Sequence, residues 1–176
     1  MGFLRQSFDK RKIMEIKIRH AEKEDTVSIK AIYEQPHAIE GTLQLPYPSL
    51  SQWESRFEKW GENMQNLLAV HNEKVVGQLG LQFYPGQRRK HAATFGMAVC
   101  SSVLGQGVGR VLLNAAIDSC DNWLNISRLE LLVFVDNESA IRLYKSSGFV
   151  VEGTNKNFAY KAGQYVDVYS MARIRN

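Results

Sequence analysis

The chain has 176 residues, 44% of them hydrophobic and 23% charged, an ordinary globular composition that excludes a disordered or collagen-like protein. That length supports one domain with its own core and leaves little room for a second. Twenty-two Lys+Arg against 18 Asp+Glu give +4, compatible with anionic ligands without establishing one, and two cysteines exclude a disulfide scaffold and fit a reducing cytosol.

Residues 1–13 carry Arg5, Lys10, Arg11 and Lys12 among few core-forming residues, and are expected to be an extension upstream of a natural start at Met14. A nucleic-acid-binding arm is the alternative for this stretch. No apolar segment follows the basic start and no run is long enough to span a bilayer, so neither a secretory signal nor a membrane helix is expected.

Ile16 and Ile18 alternate with Lys17 and Arg19, which predicts a half-buried strand. Val27, Ile29, Ile32 and Tyr33 make a helical stripe that ends near Pro36, and residues 36–49, with Pro46 and Pro48, read as a long irregular connection. Ser51 and Glu54 fit a capping box for a helix in which Trp53, Phe57 and Trp60 recur until Gly61. Residues 66–71 and 74–84 read as two strands of a hairpin, Pro85-Gly86 turns the chain, and 92–99 is a fourth strand. A helix then runs to about Trp123 on an apolar face of Val108, Val111, Leu112, Ala115 and Ala116. Residues 129–135 are nearly all apolar, as expected of a central strand covered on both faces. Residues 139–147 predict a short helix closed by Gly148, and 149–151 with 166–171 a closing hairpin around Tyr160-Lys161-Ala162-Gly163. This order of elements indicates a mixed α/β domain over residues 14–173.

The informative segment is Leu104-Gly105-Gln106-Gly107-Val108-Gly109-Arg110, where three glycines alternate directly between a strand and a helix. Without Cβ atoms they let the backbone approach a ligand, and the free N–H groups and positive dipole end of the helix suit a phosphate. A tight turn with no ligand is the plain alternative. A P-loop is excluded because Gly109-Arg110-Val111 lacks the Lys-Ser/Thr, and the G-x-G-x-G spacing is not that of a dinucleotide fingerprint.

A second segment, Asn137-Glu138-Ser139-Ala140-Ile141-Arg142-Leu143-Tyr144-Lys145-Ser146-Ser147-Gly148-Phe149, follows one strand later. Together the two resemble the GNAT N-acetyltransferase superfamily, in which a Q/R-x-x-G-x-G/A loop binds the pyrophosphate of acetyl-CoA and an N-x-x-A-x-x-L-Y-x-x-x-G-F segment follows. The resemblance implies a central, mostly antiparallel sheet of six to seven strands, splayed between strands 4 and 5 and flanked by about four helices. It also implies acetyl-CoA as cosubstrate, with no metal. Leu104 stands where the family has Gln or Arg, so the phosphate contacts fall to the loop after Gly105: the backbone N–H groups of Gln106, Gly107, Val108, Gly109 and Arg110, and the Arg110 cation. Met97, Ala98 and Val99 occupy the fourth-strand positions that pair with the pantetheine arm, where an N–H would polarise the thioester carbonyl. Asn137, with Ser139 and Ala140 after it, lies where the family contacts the cofactor. It is also a plausible N-cap.

Tyr144 is the expected catalytic acid, because a phenol can hydrogen-bond to the leaving sulfur of coenzyme A and share a proton with it. For the general base the candidates are Glu130 and His91. The fifth-strand position where relatives carry a Glu is Leu132, which cannot act. The acceptor would meet the connection of the first helices and the last hairpin, with Thr42, Gln44, Tyr47 and Tyr160 as contacts. Thr42-Leu43-Gln44, Pro46, Pro48, Ser49, the stretch Cys120-Asp121-Asn122-Trp123-Leu124 and Tyr165-Val166-Asp167 are similar to members that acetylate free L-amino acids such as phenylalanine and methionine. The resemblance thus implies a cytoplasmic enzyme with a small-molecule amine as partner, no nucleic acid or membrane, and a homodimer as the family's habit. The alternatives are an acetyltransferase of protein N-termini and a coenzyme A-binding sensor without turnover.

Overall fold

In a computed structural model, residues 14–61 and 63–175 are described; the extension expected over residues 1–13 lies outside them. The strands form a seven-stranded sheet of order β1-β2-β3-β4-β5-β7-β6. Its strands are β1 (Lys17–His20), β2 (Met64–His71), β3 (Lys74–Phe83), β4 (Ala92–Val99), β5 (Arg128–Phe134), β6 (Val150–Lys161) and β7 (Gln164–Ile174). All neighbours are antiparallel except β4 and β5, which run parallel. The helices are α1 (Thr26–Tyr33), α2 (Pro36–Gly41), α3 (Leu50–Glu58), α4 (Val108–Asp118) and α5 (Glu138–Ser146).

The β2–β3 hairpin closes through Asn72 and Glu73, both at positive φ (47° and 61°), the two-residue geometry whose twist matches the flanking strands. Two cores form, one on each face of the sheet. Leu79, Leu81, Leu112, Leu113, Leu129 and Met171 pack on the α4 and α5 side. Ile29, Ile32, Tyr33, Trp53, Leu68 and Ala98 pack on the α1 and α3 side. Truncating a residue such as Leu112, which has no exposed surface, costs about 2–5 kcal/mol in this kind of environment.

Several expectations are corrected. Residues 36–41 are helical: Pro36 ends α1 but also starts α2, because a helix's first turn has no use for the N–H that proline lacks. The cap of α3 is Ser49, whose hydroxyl accepts from the Gln52 amide at 3.2 Å, rather than Ser51. In α1 and α4 the exposed residues Val27 and Val111 fall off the buried stripe, and Leu113 joins it. Leu132 is exposed too, so β5 is covered on one face over its whole length and on the other only in part. The α4 helix continues past Asp118 as a wider π-helical turn over Ser119–Trp123. Finally, β6 is far longer than residues 149–151. Its outer stretch, Thr154 to Asn157, is polar and solvent-facing, which leaves no apolar alternation to detect.

Candidate active site

The parallel ladder between β4 and β5 is short. Ala92 faces Arg128, Ala93 faces Leu129 and Thr94 faces Glu130, and there the pairing stops. The rest of β4 stays bonded to β3, and the rest of β5 to β7. A wedge therefore opens toward the C-terminal ends of both strands, and its two edges carry main-chain groups without ladder partners across it. Behind the wedge, on the α5 side, Phe95, Tyr144 and Phe149 pack as a trio with ring centroids 5.7 to 5.9 Å apart.

The glycine turn lies at the open end of β4. Gly105 and Gly107 have φ of +73° and +87°, where an L side chain is strained, and a Cβ on either would meet nothing within 4 Å. Their backbone thus faces open space. Gly109 serves packing instead. A Cβ there would lie 2.9 Å from the Met97 methyl and 3.4 Å from Leu143, so its absence lets α4 sit against β4 and α5. The first α4 bond runs from the Val111 amide to the Gly107 carbonyl, and no side chain caps the helix. Among the described residues the amides of 107–110 accordingly have no partner, at the positive end of the dipole. This fits a phosphate-bearing ligand: a cradle that any Cβ would fill, lined by donors. Leu104 is half exposed, and the Gln106 side chain returns to the Ser102 carbonyl at 3.2 Å. Arg110 reaches the Ser146 hydroxyl on α5 at 3.0 Å, at the same exposed edge.

Asn137 caps α5. Its Oδ1 accepts from the Ala140 amide and from the Ser139 hydroxyl, each at 3.2 Å. Its Nδ2 faces Gly41, where a Cβ would stand 3.4 Å away, so the end of α2 meets the start of α5.

Tyr144 is 8% exposed, and burial pushes its phenol up to about 12. Its hydroxyl makes no hydrogen bond among the described residues and is not sealed from solvent, whereas Tyr33, on the other side of the sheet, donates to Gln78 Oε1 at 2.6 Å. Burial raises Tyr33 as well, with Tyr144 adding to the effect.

Of the two expected bases, Glu130 stands at the last rung of the β4–β5 ladder, where the wedge begins, and His91 just before β4. Glu130 belongs to the closed end of the wedge and accepts from the Tyr84 hydroxyl (2.6 Å), Arg128 (2.7 Å) and Arg89 (2.8 Å). Burial would push its carboxyl up, but these donors outweigh burial and hold it below the usual range. Arg128 in turn grips Glu152. His91 precedes β4 with an exposed ring, and its carbonyl accepts from the Ser127 and Arg128 amides.

Among the expected acceptor contacts, Thr42 donates to the Ala38 carbonyl at 2.6 Å and accepts from the Gln44 amide, so it closes α2. Gln44 accepts from Arg56 at 2.7 Å. Tyr47 is 98% exposed at φ 60° and lines a shallow cavity of about 430 Å³ with Pro36, Ile39 and Pro48. Tyr160 stands on the β6–β7 hairpin against Tyr165, ring centroids 5.2 Å apart; the next residue, Lys161, reaches Asp136 at 2.7 Å, past the end of β5.

Sequence reasoning missed the ties between α2 and β4. His37 Nε2–H donates to the Val99 carbonyl at 2.8 Å, and Gln35 Oε1 accepts from the Ser101 amide at 2.8 Å. These partners are more than sixty residues apart in the chain, and no local pattern marks them.

Among the described residues no cluster of His, Cys, Asp or Glu could hold a metal ion, and no helix is long and apolar enough to cross a membrane. The fold and the wedge define an N-acetyltransferase that uses acetyl-CoA. The chain belongs to the GNAT acetyltransferase family, whose model, "Acetyltransferase (GNAT) family", matches residues 28–149. It is 44% identical over 161 residues to the L-amino acid N-acetyltransferase AaaT of Escherichia coli, covering 92% of this chain and 99% of that one. Among solved structures, an acetyltransferase of the GNAT family from Streptococcus pneumoniae is 27% identical with a TM-score of 0.79, covering 92% of this chain and all of its own. The spermidine N-acetyltransferase of Vibrio cholerae, solved with CoA and spermine, is 25% identical with a TM-score of 0.81, covering 90% and 95%.

Proposed function

We propose that this enzyme transfers acetyl from acetyl-CoA to the α-amino group of free L-amino acids in the cytoplasm. The observation that carries the reading is the wedge between β4 and β5, with unspent amides at its mouth and the Tyr144 phenol behind it. The choice of acceptor is supported by the 44% identity to an L-amino acid N-acetyltransferase over nearly its whole length.

Acetyl-CoA supplies an activated acyl thioester. The amides of Gly107, Val108, Gly109 and Arg110 hold its phosphates, aided by the helix dipole. On the edge of β4 past the ladder, the main-chain groups of Met97 and the N–H of Val99 face the wedge and take the amides of the pantetheine arm, an N–H among them polarising the carbonyl. Ala98 turns its main chain to Gln78 on β3, and the Val99 carbonyl is held by His37. The acceptor's nitrogen forms the new C–N bond as the C–S bond breaks. With a pKa of about 12, against about 8.5 for a thiol, Tyr144 stays protonated and steadies the departing thiolate through a hydrogen bond, sharing its proton rather than surrendering it. The ammonium proton leaves to water on the open face of the sheet, since Glu130 is engaged by three donors at the closed end and His91 lies before it.

A thiol-release assay over free L-amino acids, polyamines and peptides tests this. Apolar L-amino acids are expected to be the best acceptors. Peptides outcompeting them would assign the enzyme to protein N-termini, and acetyl-CoA binding with no thiol released to any amine would make it a sensor.

A further inference from the structure

We propose that Lys161 holds the α-carboxylate of the acceptor. This rests on the reading of the enzyme as an acetyltransferase of free amino acids, and it names the group that tells such an acceptor from an amine without a carboxylate. Tyr144, Phe95 and Phe149 pack behind the wedge on the α5 side, so the acceptor approaches from the other face of the sheet. On that face lie Gly96 and Ala98 of β4 and Leu132 and Phe134 of β5, alternating with Phe95 and Val133, which point into the core under α4 and α5. Counted on from the last rung, Thr94 with Glu130, Gly96 is level with Leu132 and Ala98 with Phe134. Gly96 is exposed, a Cβ there would meet nothing within 4 Å, and Leu132 is 48% exposed, so the opening is at this level. The Lys161 ammonium lies 4.6 Å from the centroid of the Phe134 ring. The ring under the cation is two residues, about 7 Å, along β5 from Leu132.

The lysine is fixed from three sides. It ends β6, paired with Gln164 across a two-residue turn in which Ala162 and Gly163 have φ of 49° and 87°. Its side chain is 19% exposed, and its ammonium donates to Asp136 at 2.7 Å, one residue before the Asn137 cap of α5. Much of the cost of ordering a long side chain is thus met before a ligand arrives. An ammonium has three hydrogens; Asp136 takes one and the ring faces the charge, which leaves a donor for a second carboxylate. Asp136 is 60% exposed, so water screens its charge and it opposes such a ligand only weakly. The arginines at the closed end of the wedge are already shared: Arg89 and Arg128 hold Glu130, and Arg128 also holds Glu152.

The test is the ratio of kcat/KM for L-phenylalanine to that for L-phenylalaninamide, which keeps the ring and the α-amine and replaces the carboxylate with a neutral amide. Acetyl-CoA affinity is measured in parallel. Lys161→Met, which keeps the apolar stem, is expected to lower the ratio about tenfold or more, carried by KM for phenylalanine, with acetyl-CoA affinity unchanged. Lys161→Arg is expected to keep most of the ratio, since it returns a cation to the Phe134 ring. The double variant Lys161→Met with Asp136→Asn is expected to stay as low as Lys161→Met. A ratio unmoved by Lys161→Met, or one restored in the double variant and so lost only to the bared Asp136 charge, overturns the role of Lys161 while leaving amino-acid acetylation standing. A wild type that acetylates no free amino acid overturns the acceptor reading and the role of Lys161 with it.

Discussion

The turn proposed to hold the cofactor and the connection proposed to meet the acceptor are built differently. On the first, the α4 turn is fixed by positive-φ glycines and by Gly109 pressed against β4, above a core whose residues Leu112, Leu113 and Ala116 have no exposed surface. On the second, the connection from α2 to α3 leaves Leu43, Leu45 and Tyr47 largely in solvent and is held by a few side-chain bonds such as Thr42 to Ala38 and Arg56 to Gln44. A site for an invariant ligand tolerates such rigidity, whereas a site that chooses among amines is set by single residues on a looser frame. Substitutions on the two sides are accordingly expected to differ in kind as well as in size.

The largest effect is expected from Gly107→Val. The left-handed backbone costs about 1–2 kcal/mol with a side chain, and the Cβ fills the phosphate approach. Calorimetry is expected to show acetyl-CoA affinity reduced at least about a hundredfold, the equivalent of losing one or two charge-assisted hydrogen bonds; unchanged affinity would remove the cradle. Next, Tyr144→Phe is expected to reduce turnover about a hundredfold or more with acetyl-CoA affinity unchanged, and equal turnover would end the role of the phenol.

The same tyrosine makes a pH prediction. Its folded value, about 12, lies above the ordinary value of about 10. The folded state therefore keeps the proton that the unfolded state loses, and stability present below pH 10 declines as pH rises toward 12. Melting curves across that window are expected to fall less steeply in Tyr144→Phe.

A smaller effect is expected from Glu130→Gln, which leaves Arg89, Arg128 and Tyr84 with a weaker acceptor and costs about 1–3 kcal/mol of stability. Because the carboxyl is held below its usual range, its stabilisation is present at neutral pH and is lost as pH falls through the lowered value, so the two proteins are expected to converge in acid. Its turnover is expected to drop far less than that of Tyr144→Phe, and an equal drop would return Glu130 to the chemistry. Smallest is Tyr47→Ala, expected to change stability by less than about 0.5 kcal/mol because the ring is almost entirely in water, as chemical denaturation would measure.

The same contrast governs what can be read from the sequence. The glycine turn and the α5 segment are legible because each depends on residues adjacent in the chain, as does the two-residue hairpin at Asn72-Glu73. Strands β2, β3 and β4 can be placed to within a residue or two because each is a largely apolar run closed off by turn residues, with buried positions on both faces. Pro36 misleads because proline both ends one helix and begins another. Ser49 and Ser51 are equally good caps by type, and only the backbone entering α3 selects the first. Glu130 is a reasonable base by residue type, but nothing local to it marks Arg89 and Tyr84, which converge on it from more than forty residues away.

Past Thr94 and Glu130, two inner strands turn naked main-chain edges toward one another. Proteins ordinarily conceal such edges, since they recruit extended chain from any neighbour. Buried mid-sheet, these can be bridged only by something slender with amides of its own, and once bridged they join the two halves of the sheet into a continuous fabric. Occupation is then a property of the whole molecule, and its melting temperature is expected to climb with acetyl-CoA concentration as mass action requires.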